Sequence, residues 1–199
     1  FVVEDQLLVG MAETPPVLQA RIRLQADGQD MEFVRPVVRR YVDRVEGETT
    51  SPIAVVPPVA VSLSDTVFLF PGAGPKTLEA RLISNVANTA GKVRLEASQG
   101  WLVQPAAAAF QLAVSGEETS ISFTVTPTAG ASMGEARAVA IVGGRSVANG
   151  VLVLAHEGIP PQTVFPPSTA RLVQSDVRTL ATKIGYVMGA GDEVPAALR

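Results

Sequence analysis

The chain offers few side chains that could carry out catalysis. It has 199 residues, a single histidine at His156 and no cysteine. A protein zinc site needs three or four converging ligands, and a serine–histidine–carboxylate triad needs a histidine held between two partners. His156 is followed by Glu157, but the scattered aspartates complete no such set, and there is no Gly-x-Ser-x-Gly elbow. We therefore expect no catalytic residue, no cofactor and no metal ligand here, and interpret His156 as a residue at a strand end.

A second candidate functional site lies near the C-terminal end of the chain, where Asp192 and Glu193 follow Gly189 and Gly191. A Gly-x-Gly pair invites a nucleotide-binding interpretation, but Val194 occupies the place of the third small residue, and two acids would repel a phosphate. We interpret the glycines as a tight strand-to-helix turn. Adjacent carboxylates rarely point at one reacting atom, so they are candidates only if the chain holds part of an enzyme site.

Trp101 is the only tryptophan and a candidate for glycan contact, since an indole ring can stack on a pyranose face. The alternative places the ring in the hydrophobic core. We favour the core, because no second aromatic residue stands close by in the sequence.

A group of arginines could bind an anion or a sugar acid. Arg39 and Arg40 are the central candidates, with Arg35 and Arg44 on either side. The alternative is a solvated strand face whose counter-charges are Asp43, Glu46 and Glu48. We favour the solvated face, because surface charges usually stay hydrated.

The region that must position these residues is a β-domain at about 57–157. Apolar and polar residues alternate with a period of two, which is the pattern of half-buried strands. Glycine, proline and asparagine turns separate the runs, which lie at 59–63, 66–70, 78–84, 92–97, 110–114, 119–126, 136–142 and 150–155. Seven or eight short strands in about a hundred residues predict an immunoglobulin-like antiparallel β-sandwich without long helices.

Composition excludes several classes of protein. Hydrophobic residues make up 47% of the chain, enough for a core. The net charge of −3 gives no reason to expect a nucleic acid partner, and no apolar run has the length of a membrane span. The chain begins with Phe1 rather than methionine, so we expect an upstream segment to be missing. The residues do not fix the compartment, and we expect a secreted or periplasmic protein.

The segments on either side of the sandwich read as pieces of neighbouring domains. Residues 19–24 and 32–34 predict a hairpin with a turn slightly longer than the tightest type, and 37–45 a further strand. The apolar run 184–188, the glycine turn and Pro195 predict a strand and the start of a helix. We divide the chain into upstream β-strands at 1–50, a linker at 51–58, the sandwich at 59–157, a proline-rich connector at 158–181 and a truncated α/β unit at 182–199.

Three stretches resemble the C-terminal region of large bacterial PIG-L (LmbE-like) deacetylases. They are HEGIPPQTVFP at 156–166, KIGYVMGAGDEVP at 183–195, and RPVVRRYVDRVEGE at 35–48 ahead of a proline pair. In that family an N-terminal α/β domain holds zinc and removes an acetyl group from an N-acetylglucosamine-type substrate. Its zinc motif begins His-Pro-Asp-Asp, which does not occur here, so no catalytic residue is transferred.

The resemblance implies a non-catalytic accessory region that spaces, orients or weakly attaches a deacetylase to glycan, with the zinc in the missing domain. Its partners would be the other domains of the parent chain and a glycan. It also implies that 182–199 opens an amidotransferase-like α/β domain. The alternatives are a fragment of an amidotransferase-like enzyme and a free-standing carbohydrate-binding module.

Overall fold

A computed structural model describes residues 6–10, 15–45, 47–156, 159–176, 183, 185–187 and 189–190. Within these ranges the chain is almost entirely β-structure, with one 3₁₀ turn at Gln6–Leu8 and no α-helix. The prediction of a mainly β fold is confirmed. The strand predicted at 184–188 includes undescribed residues, and its described part, 185–187, forms neither strand nor helix. Gly191, Asp192, Glu193 and the predicted helix start also lie outside the described residues.

Two hairpins precede the sandwich. The first pairs β1 (Gln19–Ala26) with β2 (Gln29–Pro36), and the second pairs β3 (Val38–Asp43) with β4 (Gly47–Pro52). Ala26 pairs with Gln29, so the turn has only two residues, and both have positive φ. This is the tightest hairpin turn, favoured by the Asp-Gly sequence; the expectation of a longer turn is wrong.

Twelve strands follow these two hairpins in the chain, and ten of the twelve build the two sheets of the sandwich. They are β5 (Val59–Leu63), β6 (Val67–Pro71), β7 (Lys76–Ser84), β8 (Thr89–Ala97), β9 (Trp101–Gln104), β10 (Ala108–Leu112), β11 (Glu118–Pro127), β12 (Met133–Val142), β13 (Arg145–Val147), β14 (Leu152–His156), β15 (Ile159–Val164) and β16 (Thr169–Ser175). All described pairings are antiparallel except that of β16 with β6.

The smaller sheet has the order β5-β7-β11-β9, and the larger has the order β10-β8-β12-β16-β6, with β13 beside β12. The first order corresponds to the A-B-E-D sheet of an immunoglobulin-like fold, and β8-β12-β16 to its C-F-G sheet. The predicted sandwich is therefore present. Strands β14 and β15 form a separate hairpin outside both sheets.

Strand β16 corrects the expected connector at 158–181. It lies in the interior of the larger sheet, between β12 and β6, and buries Ala170 and Leu172. The segment was interpreted as a connector because prolines precede it and its own alternation is short. Strand β4 likewise extends to Pro52, inside the expected linker at 51–58, and β9 occupies residues that were not predicted as a strand.

The core fills the space between the two sheets. The inward residues of each strand alternate with exposed ones, as a period of two requires. Each large side chain that is buried stabilises the fold by about 1.5–3 kcal/mol. The largest fully buried side chains are Phe70, Phe123, Leu78, Leu82, Leu112, Leu172, Val59, Val61, Val93 and Val125.

Candidate functional site

The single histidine lies at an exposed strand end. His156 is the last residue of β14 and pairs with Ile159 of β15. Glu157 lies outside the described residues. Within the described ranges, no three histidine, cysteine, aspartate or glutamate residues come together as a metal site. The described surroundings of His156 therefore provide no constellation for zinc or for nucleophilic catalysis.

Trp101 lies in the core, as the favoured interpretation predicts. Only 7% of its surface is exposed, and its ring centroid is 4.8 Å from that of Phe70. The indole Nε1 has no hydrogen-bond partner among the described residues, and it lies against the Cα of Gly134. A ring enclosed in this way has no open face for a pyranose, so the position of Trp101 does not support glycan stacking.

Arg39 and Arg40 do not form a joint patch, because successive residues of β3 point to opposite faces. The Arg39 guanidinium lies 5.0 Å from the ring centroid of Tyr41, a cation–π contact. Arg40 forms an ion pair with Glu48 of β4. Arg35, on β2, donates to the carbonyl of Val34. Arg39 and Arg40 thus have neighbours on separate faces, and the arrangement fits the solvated-strand interpretation.

Arg81 and Glu118 form a two-bond ion pair on the outer face of the smaller sheet. Both guanidinium nitrogens Nε and Nη2 donate to the carboxylate, the second at 2.6 Å. These hydrogen bonds, together with the charge of Arg81, lower the pKa of Glu118 below its ordinary value. The same pair raises the pKa of Arg81. The pair links β7 to β11. Because it lies on an exposed face of the sheet, we interpret it as a structural contact between these two strands.

The hairpin β1–β2 has one apolar face. Cross-strand pairing places Ile22 opposite Phe33 and Leu24 opposite Met31, and these four side chains are 39–51% exposed. Arg21, Arg23 and Glu32 lie on the other face, where Glu32 forms ion pairs with both arginines. The alternation of Ile22 and Leu24 is visible in the sequence. Only the structure shows that this face is not covered by any other residue that the structure describes.

The hairpin β14–β15 is apolar on both faces. Leu152, Val153 and Leu154 are consecutive, so they point alternately to its two sides, and they are 49%, 57% and 51% exposed. Strand β15 also lies beside β4, which brings this hairpin, inserted between β13 and β16, next to one that precedes the sandwich. Among the described residues, no helix is long and apolar enough to cross a membrane.

No family model matches the chain, and no curated protein matches it. Among solved structures, the chain is similar to the alpha-2-macroglobulin of E. coli in its native conformation, at 16% sequence identity and a TM-score of 0.39 over 75% of this chain. The matched part is 9% of that protein's chain. A likeness at this level carries no argument about function, and the fold described above rests on the strand pairing alone.

Proposed function

We propose that the chain is a non-catalytic accessory region of a large bacterial PIG-L (LmbE-like) de-N-acetylase acting on N-acetylglucosamine-type substrates. In this proposal the parent protein is secreted or periplasmic, and its zinc is bound by a separate catalytic domain. The sandwich spaces and orients that domain. The segments at 156–166 and 183–195 motivate the choice of family.

The apolar face of the β1–β2 hairpin is the observation that carries the proposal. A two-stranded hairpin is marginally stable by itself in water, and this one leaves Ile22, Leu24, Met31 and Phe33 substantially exposed. An exposed apolar patch marks a contact surface. A neighbouring domain of the same parent chain would cover this face, as an accessory module between domains requires.

The position of the hairpins supports an orienting role. Strand β4, in the segment that enters the sandwich, lies beside β15, in the hairpin that connects β13 to β16. Gly47, Thr49 and Ser51 of β4 are partly covered, whereas the residues between them are exposed. Hairpins held side by side would fix the direction in which the preceding domain meets the module.

Neither alternative function gains a specific observation. A carbohydrate-binding module would rest on Trp101, which is buried. An amidotransferase-like fragment would rest on Asp192 and Glu193, which lie outside the described residues.

The test compares the intact parent enzyme with a variant in which residues 59–175 are replaced by a flexible glycine–serine linker. We expect kcat/KM for a short soluble oligosaccharide to be unchanged, because the zinc site is elsewhere. We expect kcat/KM for a polymeric glycan to fall several-fold, because the catalytic domain loses its orientation. A matched control carries only Gln111→Ala, an exposed substitution on β10. Equal activity on both substrates, or complete loss on both, would contradict the proposal.

A further inference from the structure

Strand β14 combines apolar faces with an unpaired edge. Its residues Leu152, Val153 and Leu154 each leave about half of their surface in water. Strands that are apolar on both sides are ordinarily covered on both sides. Within the described residues β14 pairs with β15 alone, so one of its edges is open.

The hydrogen-bond pattern identifies the groups on the open edge. The amide of Gly150 donates to the carbonyl of Pro166 at 2.8 Å, and the same register continues through Leu152–Val164 and Leu154–Gln162. Bonded pairs alternate along an antiparallel ladder, so Val151, Val153 and Ala155 direct their N–H and C=O groups away from β15.

The hairpin is irregular in β15, whereas the open edge of β14 is regular. The register shifts between Leu154 and His156, and the additional residue lies in β15, where Pro160 and Pro161 face Ala155. A bulge bends the strand that contains the extra residue. Strand β14 therefore keeps its alternation up to His156.

The open edge begins where the sandwich ends. The carbonyl of Asn149, which precedes Val151 on the same side, accepts a hydrogen bond of 2.9 Å from the amide of Val61 in β5. Beyond Asn149 no described residue pairs with the outward groups of Val153 and Ala155. The edge thus continues past the covered part of the sandwich.

Strand β14 lacks the protection that another edge strand has. On β6, the Nζ of Lys76 donates to the carbonyl of Leu69 at 3.4 Å, and Pro71 has no N–H to offer. Lysine and proline are common means of preventing edge-to-edge pairing. Between Val151 and Ala155 there is neither a proline nor a charged residue. This edge is therefore open to a further strand.

We propose that a second copy of this chain binds there, with β14 antiparallel to β14 around a twofold axis at Val153. Every outward N–H of Val151, Val153 and Ala155 then meets a carbonyl, because a twofold axis makes the edge its own complement. Leu152 lies opposite Leu154 of the second copy, and Val153 opposite Val153 of the second copy. These apolar pairs stabilise an antiparallel ladder, and no like charges meet.

The dimer is a weak one. Stable dimers bury roughly 1,200–2,000 Å² or more, and pairing one short strand buries less. We expect dissociation constants between roughly 10 μM and 1 mM, the low end of specific association.

The test measures the association of the full chain by sedimentation velocity over a concentration series. In the proposed register, residue 152 faces residue 154 of the second copy. Leu152→Lys with Leu154→Glu therefore brings opposite charges together and retains the dimer at low salt. Leu152→Lys with Leu154→Lys brings like charges together and weakens the dimer at least tenfold. The second variant has a net charge closer to zero than the wild-type chain, so general repulsion does not explain that loss.

A control and a folding check complete the design. Leu102→Lys makes the same change at an exposed leucine of β9 and leaves the dimer intact. Circular dichroism and the thermal midpoint show that each variant is folded. A wild-type chain that stays monomeric up to about 1 mM, the weak end of specific association, overturns the proposal. Equal association of the two double variants, or equal loss with Leu102→Lys, also overturns it.

Discussion

The indole ring of Trp101 packs directly on the Cα of Gly134. A methyl group at position 134 would overlap Nε1 and approach Cδ1 to 2.8 Å. Because Trp101 is buried against Phe70, the ring could move away from such a methyl group only by displacing its neighbours in the core. The contact joins β9 of the smaller sheet to β12 of the larger sheet, so a glycine without a side chain determines how closely the two layers meet.

Gly134→Ala is accordingly expected to destabilise the chain by about 1–3 kcal/mol, the usual cost of overpacking a core. Chemical denaturation followed by tryptophan fluorescence measures this directly. Gly74→Ala is the matched control, since no atom lies within 4 Å of a Cβ added there. Equal stability of the two variants would show that the contact between Trp101 and Gly134 is looser than described.

Leu172→Ala tests whether β16 belongs to the sandwich. Leu172 is fully buried, so its truncation is expected to cost about 2–5 kcal/mol through lost burial and the cavity that remains. Leu102→Ala removes the same atoms from a side chain that is 52% exposed and should cost about 0.5 kcal/mol or less. Urea unfolding of both variants gives the comparison. A small loss of stability in Leu172→Ala would indicate that this segment is a connector, as predicted from the sequence, and not a strand of the sandwich.

The sequence predicted elements whose information is local. The Asp27-Gly28 turn and its alternating flanks indicated the β1–β2 hairpin, and the alternation around Ile121 indicated β11. Strand β16 could not be predicted in this way, because it is parallel to β6, about a hundred residues earlier in the chain. The short alternation around Leu172 does not show which strand it pairs with.

The candidate sites show the same division. Burial of Trp101 followed from the absence of a second aromatic residue nearby, but its contact with Gly134 depends on the packing of two sheets. The separation of Arg39 from Arg40 followed from strand geometry. The partners Tyr41 and Glu48 depended on the register of β3 with β4. Side-chain contacts that depend on the register of paired strands could therefore be identified only from the structure.

The ion pair between Arg81 and Glu118 predicts a dependence of stability on pH. The pKa of Glu118 is lower in the folded chain than its ordinary value of 4.5. Its contribution is therefore present above the unfolded pKa and is lost as pH falls through the folded pKa. Urea unfolding between pH 7 and about pH 3 should show a smaller loss of stability for Glu118→Gln than for the wild-type chain.

Arg81→Gln provides the partner variant in this experiment. Removing the donor should return the pKa of Glu118 toward its ordinary value and weaken the acid dependence to the same extent. The double variant should behave like either single variant, since both remove one interaction. Additive effects of the two substitutions would contradict a direct pair.

The sequence has one histidine and no cysteine, and the part of the chain that the structure describes holds no metal-ligand set. We therefore predict that the purified chain neither retains zinc nor removes acetyl groups. Elemental analysis after incubation with zinc and dialysis should find well below one zinc per chain. Release of acetate from N-acetylglucosamine oligomers should equal that of buffer containing the same zinc. Stoichiometric zinc, or acetate release in proportion to the chain concentration, would contradict the assignment of catalysis to another domain.

Native-state amide hydrogen exchange tests most directly that the sandwich, closed by β16, is one cooperative module able to space and orient a neighbour. Amides in a single cooperative unit open with the same free energy, whereas frayed segments exchange quickly. The amide of Leu172 in β16 should be protected to the same extent as that of Phe123 in β11, on the opposite sheet. Exchange at Leu172 as fast as in the exposed β1–β2 hairpin would contradict the account.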